Sequence, residues 1–221
     1  MKIGMILDAI YPSDARVTNE CEELIKNGHE IYLFCLSYQK NYIKSETIND
    51  IKIRRYYCSS LIYKLSALAN DFPFYSISMK SKIKDFVLKN CIDKVHIHDI
   101  QIAKAAVAVC RKYNLKYILD LHENRHEIMK FYKHVNSFYG KVLISVKRWK
   151  KAEEKYVSKA EKVIVVTNQA KREIIERCKI SNDNVVVYPN TVRKSYYQNK
   201  DYDQVLKKKY ANNYVLLYIG N

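Results

Sequence analysis

The chain has 221 residues, of which 48% are hydrophobic and 28% are charged, so it can bury a sizeable core and is neither disordered nor fibrous. Its 39 Lys and Arg residues outnumber its 23 Asp and Glu residues, and the formal net charge is +16. A surface of this sign attracts phosphates, whether on nucleic acid, anionic lipid or a nucleotide-linked substrate.

The six cysteines include no C-x-x-C pair, which argues against a zinc knuckle and is typical of a reducing compartment. The first apolar stretch stops at Asp8 and does not resemble a signal peptide. No apolar run reaches the ~18 residues that a membrane-spanning helix needs. We therefore expect a cytoplasmic protein whose contact with a membrane is peripheral.

Short apolar runs alternate with amphipathic helical stretches along the chain. The pattern predicts strands at 2–8, 30–36, 52–58, 93–98, 116–121, 162–167 and 184–188. It predicts helices at 15–27, 75–90, 101–113 and 169–178, and a long helical region at 126–159 that breaks near Gly140. This alternation indicates an α/β, Rossmann-like, doubly wound parallel sheet of about seven strands with helices on both faces.

The end of the chain departs from this pattern. Residues 193–213 are polar, charged and rich in tyrosine, and we interpret them as a linker after a first domain at 1–192. Residues 214–221 begin with a fresh apolar strand and then stop at Gly220 and Asn221. We interpret this segment as the first strand of a truncated second domain.

Ligands of a doubly wound sheet bind beyond the carboxyl ends of its strands. We therefore expect chemistry in the segments 8–16, 98–101, 121–126, 167–169 and 188–191. The first of these has no glycine, which argues against the G-x-G-x-x-G turn of a dinucleotide site. Ser13 or Asp14 can cap the next helix, while Arg16 either binds an anion there or is solvated.

Histidines at two strand ends can serve a metal or a sugar. His96 and His98 lie on one face of a strand, and His122 follows another strand, so the three can ligate a metal. The residues after Asp99 lack the further ligands of an H-x-H-x-D-H metallohydrolase, and we expect no metal. We favour a sugar-binding or acid–base role for His122 and Glu123 over purely structural hydrogen bonding.

The stretch from Lys141 to Lys162 is the most basic part of the chain, with eight cations against three acids. Apolar residues are interleaved with these charges, so the stretch can form an interfacial helix on an anionic membrane. The alternative, which we slightly favour, is a solvated helix whose apolar stripe faces the sheet.

The order of these pieces resembles the N-terminal domain of family-four GT-B glycosyltransferases, the group-one type. The segments that carry the resemblance are Tyr11-Pro12, Asp14-x-Arg16-Val17 and Gly28-His29-Glu30, then VHIHD at 95–99, DLHE at 120–123, AEKVIVVT at 160–167, VVVYPNT at 185–191 and VLLYIG at 215–220. Thr191 stands where the family usually has glycine, and the Gly-Gly pair of the family's first loop is absent. The likeness covers nearly the whole chain.

The resemblance implies a retaining glycosyltransferase of the hexosyltransferase type, acting in cell-surface polysaccharide synthesis. It would move a sugar from a nucleotide-sugar substrate to a glycan or lipid-linked acceptor, without a metal or other cofactor. The chain would be the acceptor-side, N-terminal half of a GT-B fold, inactive alone because the donor-binding half is missing.

The resemblance also implies the roles of individual residues. His122 and Glu123 would be catalytic, with His122 near the transferred sugar. Arg16 would serve the donor's charge in place of the missing glycines, and Asn190 would lie at the interdomain hinge. The substrate-binding residues would be Tyr11, Asp14, Arg16, Asp99, Asn124, Thr167, Asn168 and Asn190.

Two other classes stay open. A basic α/β nucleic-acid-binding module fits the net charge and the 20 tyrosines available for stacking. Its positive charges are dispersed, however, and no nucleic-acid signature occurs, so we expect no nucleic-acid partner. A metal-dependent hydrolase using His96, His98 and His122 is the third class.

Overall fold

The structure, a computed structural model, describes residues 1–191 and 203–217. The chain divides into two units, Met1–Asn190 and Thr191–Asn221. The larger unit is built on one eight-stranded sheet. Its strands are β1 (Lys2–Ile6), β2 (Glu30–Ser37), β3 (Ser45–Ile48), β4 (Ile51–Tyr57), β5 (Lys94–His98), β6 (Lys116–Leu121), β7 (Lys162–Val165) and β8 (Val185–Val187).

The strands lie in the order β3-β4-β2-β1-β5-β6-β7-β8. All neighbours are parallel except β3 and β4, which form an antiparallel hairpin. The chain winds outward from β1 in one direction and then from β5 in the other, so the switch point lies between β1 and β5. The predicted doubly wound parallel sheet is confirmed.

The eighth strand, β3, is missing from the sequence-based prediction. Its residues Ser45, Glu46 and Thr47 are polar, and the strand is an exposed edge without an apolar face. The turn between β3 and β4 is formed by Asn49 and Asp50, whose φ values are 48° and 63°. Asn and Asp tolerate this left-handed conformation better than most residues, as a type I′ hairpin turn requires.

The helices of the larger unit are α1 (Ala15–Lys26), α2 (Ser60–Lys64), α3 (Phe74–Lys89), α4 (Ile100–Lys112), α5 (Arg125–Ile128), α6 (Lys133–Asn136), α7 (Phe138–Leu143), α8 (Val146–Val157) and α9 (Asn168–Cys178). Val17 and Cys21 of α1 pack on one face of the sheet, against Met5 and Leu33. The helices α3, α4, α8 and α9 contribute to a larger core with other sheet residues. Helices therefore cover both faces, as predicted.

The long helical region is broken near Gly140, as predicted, but the breaks lie on either side of the glycine, at Ser137 and Ser145. Ser137 and Ser145 have extended backbone and cap the helices that follow, accepting hydrogen bonds from the amides of Gly140 at 3.1 Å and Arg148 at 3.3 Å. Gly140 itself lies inside α7. A Cβ atom there would lie 1.9 Å from the carbonyl oxygen of His134, so the glycine permits close packing of α7 on α6 rather than a break.

The second unit is described only at Thr191 and 203–217. It contains the helix α10 (Gln204–Lys209), within the segment predicted as a linker. Residues 214–217 form no strand, and the remainder of the predicted strand, 218–221, lies outside the described residues. The boundaries at 192 and 213 and the second domain stay predictions. No helix in the described part of the chain has both the length and the apolarity to cross a membrane.

Candidate functional site

A polar cleft of about 210 Å³ lies at the switch point, beyond the carboxyl ends of β1, β5 and β6. Ligands of open α/β sheets bind in this position. The cleft is lined by the loop after β1, the start of α4 and the loop between β6 and α5. Its polar side chains include Asp8, Asp14, Asp99, Gln101, His122 and Arg125.

Asp120, the penultimate residue of β6, is fully buried beneath this cleft. Its two oxygens accept hydrogen bonds from Arg16, at 2.7 Å from Nη2 and 2.9 Å from Nε. Burial alone would raise the pKa of Asp120. Hydrogen bonds from His122, His98 and Arg16 outweigh burial and hold the pKa well below its ordinary value. Asp120 is therefore a carboxylate at neutral pH.

His122 is oriented by its neighbours. Its Nε2 atom lies 3.1 Å from the Oδ2 atom of Asp120 and 3.1 Å from the Nδ1 atom of His98. Its Nδ1 atom lies 3.9 Å from the Oδ2 atom of Asp14, at the cleft. Burial lowers the pKa of His122, but the Asp120 carboxylate more than compensates and raises it above the ordinary value. The Nδ1 atom is therefore the ring nitrogen that is left to form a hydrogen bond with a ligand in the cleft.

Arg16 has a different place from the expected one. Its side chain is buried, and besides Asp120 it donates from Nη1 to the carbonyl oxygen of Tyr188 at 2.7 Å and to Oδ1 of Asn190 at 2.9 Å. The guanidinium thus joins α1 to β6 and to the segment after β8. The Asp120 carboxylate draws the guanidinium inward. The expectation that Arg16 serves the charge of a donor phosphate stays a prediction.

A buried cluster of Glu20, His96, His98 and Asp120 has ligand atoms within 4.8 Å of one another, a donor set that metals use. The positive charge that faces it belongs to Arg16, whose Nε atom lies 3.2 Å from Glu20. Burial and the nearby Asp120 raise the pKa of Glu20 to about 9, and burial lowers the pKa of His96 to about 3. Both side chains are neutral at pH 7, and the expectation of no metal stays a prediction.

Asp8 is a cleft residue that the sequence analysis did not single out. The hydroxyl of Tyr75 donates a hydrogen bond to its Oδ1 atom, while its Oδ2 atom has no hydrogen-bond partner among the described residues. Burial raises the pKa of Asp8 from 3.8 to about 7. An acid that directly follows an apolar strand at the switch point is the sequence signal that could have found it.

Asp99 and Arg125 form one wall of the cleft. Asp99 has a φ of 70° and a ψ of 154°, a region that residues other than glycine rarely adopt. Its amide donates to the carbonyl oxygen of Asp120 at 2.8 Å, and its Oδ2 atom lies 3.6 Å from Nη2 of Arg125. Arg125 also lies 3.0 Å from Oε1 of Glu123. Strain of this kind is held by its surroundings and clusters at functional sites.

The other predicted residues divide between the cleft and its surroundings. Asp14 lines the cleft and also caps α1, as expected. Tyr11 does not reach the cleft. Its ring is buried in the core beneath α1, and its hydroxyl accepts a hydrogen bond from Thr18 at 3.1 Å. Glu123 and Asn124 line a separate cavity of about 30 Å³ beside α9.

The predicted residues near α9 and β8 also lie apart from the cleft lining. Thr167 caps α9, its hydroxyl accepting a hydrogen bond from the amide of Ala170 at 3.0 Å. Asn168 is exposed, and Asn190 is exposed but holds Arg16. The structure therefore brings Asp14, Asp99 and His122 together, and adds Asp8, Gln101 and Arg125 to them.

A Rossmann-like sheet with a polar, glycine-poor cleft at its switch point defines the chain as an α/β ligand-binding domain of the GT-B type. The model of Glycosyltransferase Family 4 matches residues 15–195, and the chain belongs to this family. It represents the family's N-terminal type of domain. A search of curated proteins gives no match.

Solved structures share the fold at low sequence identity. Sucrose-phosphate synthase (tll1590) from Thermosynechococcus elongatus is 15% identical, with a TM-score of 0.63 over 87% of this chain and 49% of that one. A glycosyltransferase from Rickettsia africae ESF-5 is 19% identical, with a TM-score of 0.52 over 95% and 48%. UDP-GlcNAc 2-epimerase from Methanocaldococcus jannaschii is 14% identical, with a TM-score of 0.51 over 85% and 45%. The chain spans about half the length of these proteins, and the epimerase shows that the fold alone does not define a reaction.

We expect Asp8→Asn to stabilise the protein at neutral pH. A folded-state pKa of about 7 against 3.8 means that the unfolded chain ionises first, so Asp8 destabilises the fold increasingly as the pH rises from about 4 to 7. At 1.36 kcal/mol for each pKa unit, the gain in the variant is at most about 4 kcal/mol. Urea unfolding of both proteins between pH 4 and 8 measures it.

The exposed Asp183→Asn variant is the matched control and should follow the parent at every pH. A difference between Asp8→Asn and the parent that stays constant from pH 4 to 8 would contradict the assignment.

We expect Asp99→Gly to be more stable than Asp99→Ala by about 1–2 kcal/mol. Both variants lose the carboxylate, but glycine adopts a φ of 70° without steric cost, whereas alanine keeps the strain. At Asp85, in the interior of α3, the same pair should show the opposite order by about 1 kcal/mol. Thermal and urea unfolding compare the four variants, and equal stabilities at position 99 would rule out backbone strain there.

Proposed function

We propose that this chain is the acceptor-binding domain of a retaining glycosyltransferase, which moves a sugar from a nucleotide-sugar to a hydroxyl of a glycan or lipid-linked acceptor in cell-surface polysaccharide synthesis. The main support is that Asp8, Asp99 and His122 line one cavity at the switch point, in a member of Glycosyltransferase Family 4. Carboxylates and an imidazole supply the hydrogen bonds that sugar hydroxyls need.

In this proposal His122 directs its Nδ1 atom at the transferred sugar, and Asp120 fixes that orientation through Nε2. Asp8 and Asp99 line the cavity that would hold the acceptor hydroxyls, and each has one buried oxygen without a hydrogen-bond partner among the described residues. Arg125 offers positive charge to an acceptor phosphate. Glu123 acts by holding Arg125 at 3.0 Å, and is a positioning residue rather than a catalytic one.

In this proposal a second domain binds the nucleotide-sugar donor. The charge that develops on a nucleotide diphosphate must be stabilised by fixed cations or dipoles, and Arg16 is committed to Asp120. We propose that residues 1–192 bind the acceptor, that 193–213 link them to a donor-binding domain that begins at 214, and that no metal or other cofactor takes part. Asn190 then lies at the end of the first domain, at the hinge.

The experiment that tests this proposal measures acceptor binding and transfer separately. We expect the 221-residue chain to bind lipid-linked glycan acceptors, detected by saturation-transfer NMR, and to transfer no sugar at a useful rate from a panel of UDP- and GDP-sugars. Asp99→Asn should weaken acceptor binding by about tenfold, the cost of about one charge-assisted hydrogen bond. Asn182→Ala, exposed and absent from the cleft lining, should leave binding unchanged.

Rapid sugar transfer by the 221-residue chain alone would overturn the division of labour between two domains. Equal losses of acceptor binding in Asp99→Asn and Asn182→Ala would show that the cleft is not the acceptor site.

We further propose that the protein works at the inner face of the cytoplasmic membrane, and that residues 131–143 make the contact. This segment exposes large apolar side chains: Phe131 is 82% exposed, Phe138 79%, Tyr139 75% and Val142 74%. Exposed apolar clusters of this kind mark interaction surfaces. Lysines at 130, 133 and 141 flank them and suit an anionic lipid surface.

Of the basic stretch from Lys141 to Lys162, only residues 141–143 belong to the proposed membrane contact. In α8 the side chains of Trp149, Tyr156 and Val157 are buried in the core, so its apolar stripe faces the sheet. The solvated-helix alternative holds for α8. The apolar component of a membrane contact lies instead in the three short helical turns that precede it.

We expect the protein to float with vesicles of phosphatidylglycerol and phosphatidylcholine at a 3:7 ratio (roughly the anionic content that an interfacial basic segment needs). Phe138→Ser with Val142→Ser should lower the bound fraction by at least about tenfold, because each apolar side chain contributes about 1.5–3 kcal/mol when buried. Ile43→Ser, which removes an apolar side chain 64% exposed elsewhere, is the control. Unchanged flotation of the double variant would contradict the proposed contact.

A further inference from the structure

A second and larger cavity lies on the opposite side of the unit from the cleft. It has a volume of about 640 Å³ against about 210 Å³ for the cleft, within the range of small-molecule sites. It runs between α4 and the end of α8 and opens at the start of β6. Parallel strands begin at the same edge of a sheet, so this groove opens at the amino edge, whereas the cleft lies at the carboxyl edge.

The floor of the groove is apolar. It consists of Val107 and Ala108 from α4, Leu115 and Tyr117 at the start of β6, and Tyr156 from α8. The hydroxyl of Tyr117 donates to the carbonyl oxygen of Tyr156 at 2.7 Å, so this polar atom is already satisfied within the protein. Ala108 is the smallest of these side chains. A hydrocarbon chain fits such a floor better than a polar ligand does.

The rim of the groove carries a strong excess of positive charge. Its charged side chains are Lys104, Arg111, Lys116, Lys155, Lys159 and Glu161. The single acid, Glu161, is held by Lys94 at 2.9 Å. For Arg111, Lys155 and Lys159, the described part of the chain provides no ion-pair partner. These three cations are exposed and are available to an anionic head group.

We propose that this groove binds a single-chain anionic amphiphile, such as a fatty acid or a lysophosphatidylglycerol. The chain lies along the apolar floor, and the head group pairs with Arg111, Lys155 and Lys159. The combination of an apolar floor and an unpaired cationic rim carries this assignment, because each part alone fits many ligands and the two together fit an amphiphile.

A nucleic acid is the other ligand that such cations attract, and the floor argues against it. Single strands bind by stacking bases on exposed aromatic faces. Tyr117 and Tyr156 are only 5% and 7% exposed, so neither offers a face for stacking. The groove is also distinct from the exposed apolar segment at 131–143, which has no part in its lining. Its occupant therefore does not depend on the proposed reaction or on the proposed membrane contact.

The test is a calorimetric titration of the 221-residue chain with monomeric lysophosphatidylglycerol that carries a 14-carbon chain, below its micelle concentration. We expect saturable binding, at least tenfold tighter than that of the zwitterionic lysophosphatidylcholine of equal length. Shortening the chain by two methylenes should weaken binding by about tenfold, as the burial of hydrocarbon predicts.

Two variants address the two halves of the site. Ala108→Trp fills the floor and should abolish binding of both lipids. Arg111→Gln with Lys159→Gln should remove only the preference for the anionic head group. This double variant still tests the proposal if Ala108→Trp fails to fold. Lys147→Gln with Lys151→Gln, which alters exposed lysines of α8 that do not line the groove, is the matched control and should bind as the parent does.

The proposal is wrong if monomers do not bind, or if Ala108→Trp folds and binds as tightly as the parent. It is also wrong if chain length has no effect and inorganic phosphate competes fully, which would indicate a plain anion site. Binding to vesicles alone, lost in Phe138→Ser with Val142→Ser, would assign the lipid to the segment 131–143 instead.

Discussion

The buried ion pair between Arg16 and Asp120 is the interaction on which the cleft depends. Asp120 is fully buried, and removing such a charge from water costs several kcal/mol unless its lone pairs are satisfied. The guanidinium satisfies both oxygens at 2.7 and 2.9 Å and reaches Tyr188 and Asn190 with its remaining nitrogen. One side chain of α1 thereby fixes β6, whose carboxyl end lies at the cleft, against the segment after β8.

The ion pair and burial together determine the protonation of the neighbouring side chains. Because Asp120 stays ionised, it holds the Nε2 atom of His122 and leaves Nδ1 to the cleft. Glu20 and His96 lie in the same buried cluster but are neutral at pH 7, since burial raises the pKa of the acid to about 9 and lowers that of the imidazole to about 3. The cluster thus holds one cation and one anion, and it can be buried without a net charge.

The sequence predicts the sheet well and the site in outline. Alternation of apolar runs and helical periodicity defines seven strands, because each is buried on at least one face, whereas the polar edge strand β3 has no such signal. Strand ends converge at one edge, so the segments that carry the cleft are predictable. The direction in which an individual side chain points is not predictable in this way. The sequence suggests that Arg16 is solvated or binds an anion, because its partner Asp120 lies 104 residues away. It suggests that Tyr11 binds substrate, although the ring is buried in the core.

The protein has a positive net charge, but its cleft is lined mainly by acidic side chains. The chain carries +16 overall, yet the cleft is lined by Asp8, Asp14 and Asp99, with Arg125 among them. A basic exterior attracts anionic surfaces and ligands from a distance, within the range that salt screening allows. The acids inside the cleft then suit neutral sugar hydroxyls, which need acceptors rather than cations. In the proposed function, membrane binding and acceptor binding belong to successive parts of the chain. Arg125 lies at the cleft and begins the helical segment that continues into residues 131–143. A membrane bound by residues 131–143 would therefore bring its lipid-linked acceptor to the rim of the acidic cleft.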